Sequence, residues 1–304
     1  MRVVSLLPSA TELLCAVGGE STLVGRSHEC DYPASITHLP TLTTQRVTAG
    51  DSASIDREVR AALGEHNAAS LYALDADLLR QLQPDVILTQ DLCEVCSIDL
   101  NAVRAVAESI TPTPTVLSLN PSSLDDIFDD ILRVGEAVGR PAKARDAMIA
   151  LRERYWAARE YVNAYVPGPE VAVLEWMDPL FVAGHWTPQL VQDAGGVHSL
   201  NAPGAKSRQI EPEELLESGP ERLIICPCGY DLQAIERELP ALQSQRWWKL
   251  LPAVQDQRVA LVDGNQMFAR PGPRLVDAFT WLVGWFNERP ELTAAPFPAR
   301  IAAV

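Results

Sequence analysis

Cysteine is scarce in this chain. There are six in 304 residues, Cys15, Cys30, Cys93, Cys96, Cys226 and Cys228, too few for a disulfide-stapled scaffold. No stretch approaches the roughly 18 uninterrupted apolar residues of a spanning helix, so no membrane insertion is expected. There is no G-x-S-x-G elbow, no G-x-x-x-x-G-K-[ST] loop and no G-x-G-x-x-G after the first strand, which argues against the common hydrolase and nucleotide templates. Basic charge is in deficit: 25 Lys and Arg stand against 40 Asp and Glu, a formal charge of −15. So acidic a surface repels phosphate, making nucleic acid and anionic membranes poor partners. The opening residues are not expected to be a secretory signal. Met1-Arg2 runs into V-V-S-L-L-P-S-A-T-E-L-L, where Pro8 and Glu12 break the apolar run, so the segment reads as a buried strand turning into a helix. A cytoplasmic protein is expected, the alternative being a mature periplasmic or extracellular form restarted with Met.

What is present is ordinary globular composition, 47% hydrophobic and 21% charged, in a length that suits two lobes of roughly 120–150 residues. Short apolar runs alternate with helical patterns, which predicts parallel sheets flanked by helices. In the first lobe the strands are Val3–Leu7, Leu23–Arg26, Asp85–Thr89 and Thr115–Leu119. Ser9-x-x-Glu12 reads as a capping box, and Asp31–Gly50, polar and Thr-rich, as a loop. In the second lobe the strands are Val171–Trp176, Leu223–Cys226 and Val259–Val262, with a last helix Pro273–Asn287. Between the lobes Pro141 opens a long helix whose apolar stripe is Ala144, Met148, Leu151, Tyr155, Ala158 and Val162. Its opposite face carries Arg145, Arg152, Arg159 and Glu160. The expected architecture is α/β, two lobes with parallel sheets joined by a single long α-helix: 1–120, bridging helices 121–166, 167–290, and a tail 291–304 that frays or lies on the surface.

Ligands of open parallel sheets bind at the carboxyl ends of the strands. If the two lobes face each other, the loops there line one cleft. The candidate ligand-binding residues in them are Ser9, His28, Glu29, Tyr32, Gln90, Asp91, Trp176, His185, Trp186, Gln266 and Arg270. Trp176 and Trp186 offer flat faces for a large planar ligand. Cys30, the Cys93-x-x-Cys96 pair, Cys226 and Cys228 follow strand ends as well, and thiolates with one imidazole suit zinc or another soft metal. A disulfide and inert buried thiols are the other readings of these cysteines. Cys15, inside a helix, reads as core.

R-V-V-S-L-L-P-S-A-T-E-L-L, L-V-G-R-S-H-E-C-D-Y-P, L-Q-P-D-V-I-L-T-Q-D-L-C-E-V-C and F-A-R-P-G-P-R-L-V-D resemble the cobalamin-binding branch of the class III, helical-backbone substrate-binding proteins of ABC importers. The similarity runs from Arg2 to about Asn287. It implies two Rossmann-like lobes bridged by one helix, and capture of a ligand between them for delivery to a permease. Gln90 stands where well-known cobalamin binders carry an aromatic that packs on the ligand, so the resemblance implies cobalamin or a related corrinoid or metal chelate. The family docks on its permease through an acidic residue on each lobe, and Asp77 and Glu213 fall at the matching places. The expectation is therefore a monomeric binding protein with no tightly bound cofactor, not an enzyme. The rival is a cytoplasmic metal-binding enzyme or a metal or corrinoid chaperone that uses the cysteines and histidines.

Overall fold

The computed structural model describes residues 1–45, 50–64, 72–91, 98–293 and 296–303. The elements run β1 (Val3–Ser5), α1 (Pro8–Ala16), β2 (Leu23–Arg26), β3 (Thr43–Gln45), α2 (Ser52–Gly64), β4 (Tyr72–Leu74), α3 (Ala76–Leu82), β5 (Val86–Thr89), α4 (Leu100–Glu108), β6 (Thr115–Ser118), α5 (Leu124–Ala137) and α6 (Pro141–Arg159). They continue as β7 (Val171–Met177), β8 (Leu180–Val182), α7 (Thr187–Asp193), β9 (Arg208–Gln209), α8 (Pro212–Ser218), β10 (Arg222–Ile225), α9 (Leu232–Gln243), α10 (Pro252–Gln255), β11 (Val259–Val262), α11 (Leu275–Phe286) and β12 (Ala299–Ile301). The chain divides into two compact units. Unit 1 holds 1–50, 54–121 and 125–151; unit 2 holds 51–53, 122–124 and 152–304.

In unit 1 a parallel sheet runs β2-β1-β5-β6. β1 and β5 are buried along their whole length, as apolar runs covered on both faces should be. Val4, Leu79, Ile87 and Val103 form the centre of one core cluster. Asp75 caps α3 by accepting from the Leu78 N–H at 2.9 Å. Two expectations fail here. α1 starts at Pro8 with Leu7 as its cap residue, so Ser9 is buried in the first turn and caps nothing; proline is pre-set for the first helical position and moves the start two residues earlier. The expected loop 31–50 contains β3, which pairs antiparallel with β4. Three-residue strands are too short to show a period.

Unit 2 has a mixed sheet, β12-β11-β10-β7-β8-β9. Its centre, β11-β10-β7, is parallel as expected, but β8, β9 and β12 are antiparallel additions at the edges. The tail therefore supplies β12 at the sheet edge instead of fraying. α9 passes through Pro240; the lost hydrogen bond is outweighed by the burial of Leu239 and Leu242. The inward stripe of α6 holds over Ala144, Leu151, Tyr155 and Ala158, which are buried, while Met148 is half-buried and Val162 lies beyond the helix end at Arg159.

α5 contains a carboxylate under strain. Asp130 is buried, bonded to Arg133 at 2.6 Å, with its second oxygen unpartnered. Burial raises its pKa to about 6, with Arg133 opposing and Asp126 and Asp129 adding to the rise. A carboxyl group whose folded pKa is raised binds more protons folded than unfolded between the two values, so its ionisation lowers stability as pH climbs from about 4 to about 6. Asp130→Asn should be more stable than the parent at pH 7 by about 1–3 kcal/mol, after allowance for partial solvation. The two proteins should converge below about pH 4. Urea midpoints at both pH values check this; an equal gap at the two pH values contradicts it.

Candidate functional site

The carboxyl ends of β1, β2 and β5 and the edge of β3–β4 enclose a small recess in unit 1. Leu6, Leu7, Pro8 and Ile98 give it apolar walls, and Ser27, Glu29, Thr43, Tyr72 and Gln90 supply polar groups. The Tyr72 hydroxyl donates to Glu29 Oε1 at 2.8 Å. His28, beside Glu29 in the chain, packs its ring 5.2 Å from that of Tyr72. Thr43 Oγ1 accepts the His28 backbone N–H at 3.0 Å, donates to Ser27 Oγ at 3.0 Å and lies 2.6 Å from His28 Nδ1. With the hydroxyl proton given to Ser27, Nδ1 carries the imidazole proton and Nε2 is left as a lone-pair acceptor. Nε2 is buried with no hydrogen-bond partner among the described residues. Burial is the main cause lowering the His28 pKa, so the ring is neutral at pH 7.

The recess thus brings together Glu29 and Gln90 of the sequence-derived set and adds Thr43 and Tyr72, which that set lacked. Their signal is the short antiparallel pair β3–β4, invisible as periodicity. Other candidates stand elsewhere in unit 1. Tyr32 is exposed, and Asp91 is exposed with its N–H on Asn120 Oδ1 at 2.7 Å. Ser9 is buried in α1 and does not line the recess. Cys30 is a buried thiol that accepts from Thr11 Oγ1 at 3.1 Å. Cys93 and Cys96 lie outside the described residues.

In unit 2, half-buried Trp176 at the end of β7 donates from Nε1 to the Ser52 carbonyl at 3.2 Å and meets Tyr230 edge-on at 5.4 Å. Glu238 gathers this group. It accepts from the Tyr230 hydroxyl at 2.9 Å and from Ser52 Oγ at 2.6 Å. Burial, then Glu238, pushes the Tyr230 hydroxyl pKa up, so it remains a proton donor. His185 takes a left-handed φ of 54° and is half-buried; burial and nearby Lys206 lower its pKa. Its ring lies 5.5 Å from that of Trp186.

The remaining candidates stand as follows. Trp186 is only 7% exposed and donates to the Phe268 carbonyl at 2.6 Å, so it is a core residue and offers no free stacking face. Gln266 and Arg270 belong to the internal bracing of the loop after β11. Gln266 donates to Asp263 at 2.7 Å and accepts from Arg274 at 3.1 Å, while buried Arg270 donates to Asn265 at 3.0 Å. Cys226 is fully buried, points at the Met267 carbonyl and has a pKa raised well above the ordinary thiol value by burial. Cys228 is an exposed free thiol. Among the described residues no three His, Cys, Asp or Glu side chains are placed to hold a metal ion; the expected soft-metal set also includes Cys93 and Cys96, which lie outside them.

Asp77 and Glu213 are exposed in the first turns of α3 and α8, Asp77 bridged to Arg80 at 2.8 Å. Among the described residues no helix is long and apolar enough to cross a membrane.

Comparison with known proteins agrees with this architecture. The chain is 22% identical over 282 residues to an uncharacterised ABC transporter substrate-binding lipoprotein of Bacillus subtilis, covering 91% of this chain and 76% of that one. It is 23% identical over 282 residues to the vitamin B12-binding protein of Vibrio cholerae, covering 91% and 86%. A crystal structure of a periplasmic heme-binding protein from Pseudomonas aeruginosa superposes with a TM-score of 0.72 at 21% identity, over 94% of this chain and 92% of that one; this likeness shows the fold, which is that of the class III binding proteins. The family model described as "Periplasmic binding protein" matches residues 3–265, and the chain belongs to that family.

Proposed function

We propose that this substrate-binding protein captures a large metal-containing chelate of the corrinoid or tetrapyrrole class, cobalamin first among them, for an ABC importer. The observation that carries the reading is the recess of unit 1, where Tyr72, Glu29, Ser27, Thr43 and Gln90 stand over apolar walls at the ends of three parallel strands. Such a recess suits the amide or carboxylate arms that rim a corrinoid or a tetrapyrrole: a few placed polar groups orient the ligand and apolar surface supplies contact area. The vitamin B12-binding and heme-binding relatives support the same class. The metal belongs to the cargo, and no resident cofactor is proposed. In unit 2, Trp176 with Tyr230 is the aromatic candidate for the ligand. Asp77 and Glu213 are the proposed contacts to the permease.

Titration of the purified chain with cobalamin and with haem, followed by calorimetry and visible absorption, tests this. One-to-one binding of at least one of them is expected. Tyr72→Phe removes the hydroxyl and should weaken binding by about 0.5–1.5 kcal/mol. Tyr72→Ala removes the ring as well and should weaken it by about 1–3 kcal/mol. Absence of heat and spectral change with both ligands would sink the proposal, and unchanged affinity in both variants would remove the recess from it.

A further inference from the structure

We propose that Cys226 and Cys228 form a reversible oxidation site, in which exposed Cys228 takes up one half of a small soluble disulfide and buried Cys226 then closes an intrachain disulfide onto it. Pro227 alone separates the two, just past the end of β10 in unit 2. Both are reduced thiols. Cys228 faces solvent, whereas Cys226 is 2% exposed and donates to the Met267 carbonyl at 3.6 Å. Access therefore assigns the roles, because a soluble disulfide meets Cys228 first.

The backbone lets the pair close. Two residues of fully extended chain span at most about 7 Å between Cα atoms, and a disulfide accepts about 4.4–6.8 Å. Here the chain is drawn in. The Cys226 N–H donates to the Leu174 carbonyl at 2.8 Å, and the Cys228 N–H to the Glu175 carbonyl at 3.1 Å. In a regular parallel ladder the bonds are evenly spaced and both strands advance together. Between these two bonds the cysteine segment advances two residues while β7 advances one. The Pro227 carbonyl accepts the Tyr230 N–H at 3.1 Å, which holds the turn. Only the Cys226 side chain has to rotate, away from the Met267 carbonyl.

The exchange balances. Cys228 loses its proton to solvent, and its thiolate attacks one sulfur of the soluble disulfide. The old sulfur–sulfur bond breaks, and the other half leaves as a thiolate that takes up a proton. Cys226 then loses its proton and attacks Cys228 Sγ, expelling the second half as a thiol. Two protein thiols are oxidised to one disulfide, and the soluble disulfide is reduced to two thiols. Leaving the Met267 carbonyl makes the second step the slower one, as does the raised pKa that burial gives Cys226. The ring so closed is small, and strained or exposed disulfides are the ones readily reduced again. The turn carries Tyr230, whose ring meets Trp176. An effect of oxidation on ligand capture therefore rests on the function proposed above; the thiol chemistry does not.

The reduced full chain, incubated with oxidised glutathione, quenched in acid, alkylated and digested with trypsin, tests this. The peptide 223–237 holds Cys226 and Cys228 and no other cysteine. It should first carry one glutathione on Cys228, then appear lighter by two hydrogens, with neither adduct nor alkyl group. A dithiol reductant should restore both thiols. Cys228→Ser, at an exposed position, should slow modification of Cys226 at least roughly tenfold. Cys226→Ala should keep the glutathione on Cys228. A parent chain that keeps the adduct on Cys228 without closing would overturn the proposal. So would a parent whose Cys228 does not react, or one that links it to another peptide or a second chain.

Discussion

Trp186→Ala is expected to cost unit 2 about 3–5 kcal/mol of stability, the range for deleting a large buried aromatic ring. The ring is 7% exposed, and its N–H donates to the Phe268 carbonyl at 2.6 Å. Phe268 itself sits at a left-handed φ of 56°, a conformation a non-glycine residue keeps only when its surroundings hold it there. Losing Trp186 removes both the packing and the donor that tie the loop after β11 to the start of α7. Trp186→Phe keeps most of the ring but not the donor, and should lose clearly less. Urea unfolding followed by circular dichroism reads both. If Trp186→Ala keeps the parent midpoint while ligand affinity drops, the ring faces the ligand and the core assignment is wrong.

Gly264→Ala should destabilise the same unit by about 2–3 kcal/mol through overpacking. A Cβ at this position would stand 2.0 Å from the Pro227 carbonyl oxygen and 3.0 Å from the Cys226 carbonyl carbon. These are backbone atoms, so no side-chain rotation relieves the clash. The turns after β10 and β11 run together here, joined by Gly229 N–H to Gly264 O at 3.3 Å and Asn265 N–H to Tyr230 O at 3.1 Å. Separating them shifts Tyr230, whose ring packs on Trp176. Stability and the environment of Trp176 should therefore change together, the second visible as altered tryptophan fluorescence. An alanine variant with the parent's midpoint and spectrum would show that the turns are not locked.

Much of the fold follows from local pattern. Val86–Thr89 and Val259–Val262 are apolar runs bounded by turn residues, buried on both faces, and they emerge as central parallel strands. Asp75, Asp231 and Pro141 mark helix starts by their own chemistry. The order of those strands and helices also directed attention to the strand ends, where Glu29 and Gln90 line the recess.

What the amino-acid order determined by itself is therefore the α/β alternation, the long helix with its buried stripe, the acidic charge and the ends of the parallel strands. Tertiary structure alone decided which of the side chains near those ends are available. Trp186 and Cys226 sit in loops that look exposed, yet the loop after β11 folds over both of them. Tyr72 reaches the recess because β4 pairs with β3, two segments of three residues with no period to read. The unpartnered Nε2 of His28 depends on Thr43, fifteen residues away in sequence. Each of these facts rests on contact between distant segments, and burial and hydrogen-bond satisfaction are properties of such contacts, which spacing along one chain does not encode.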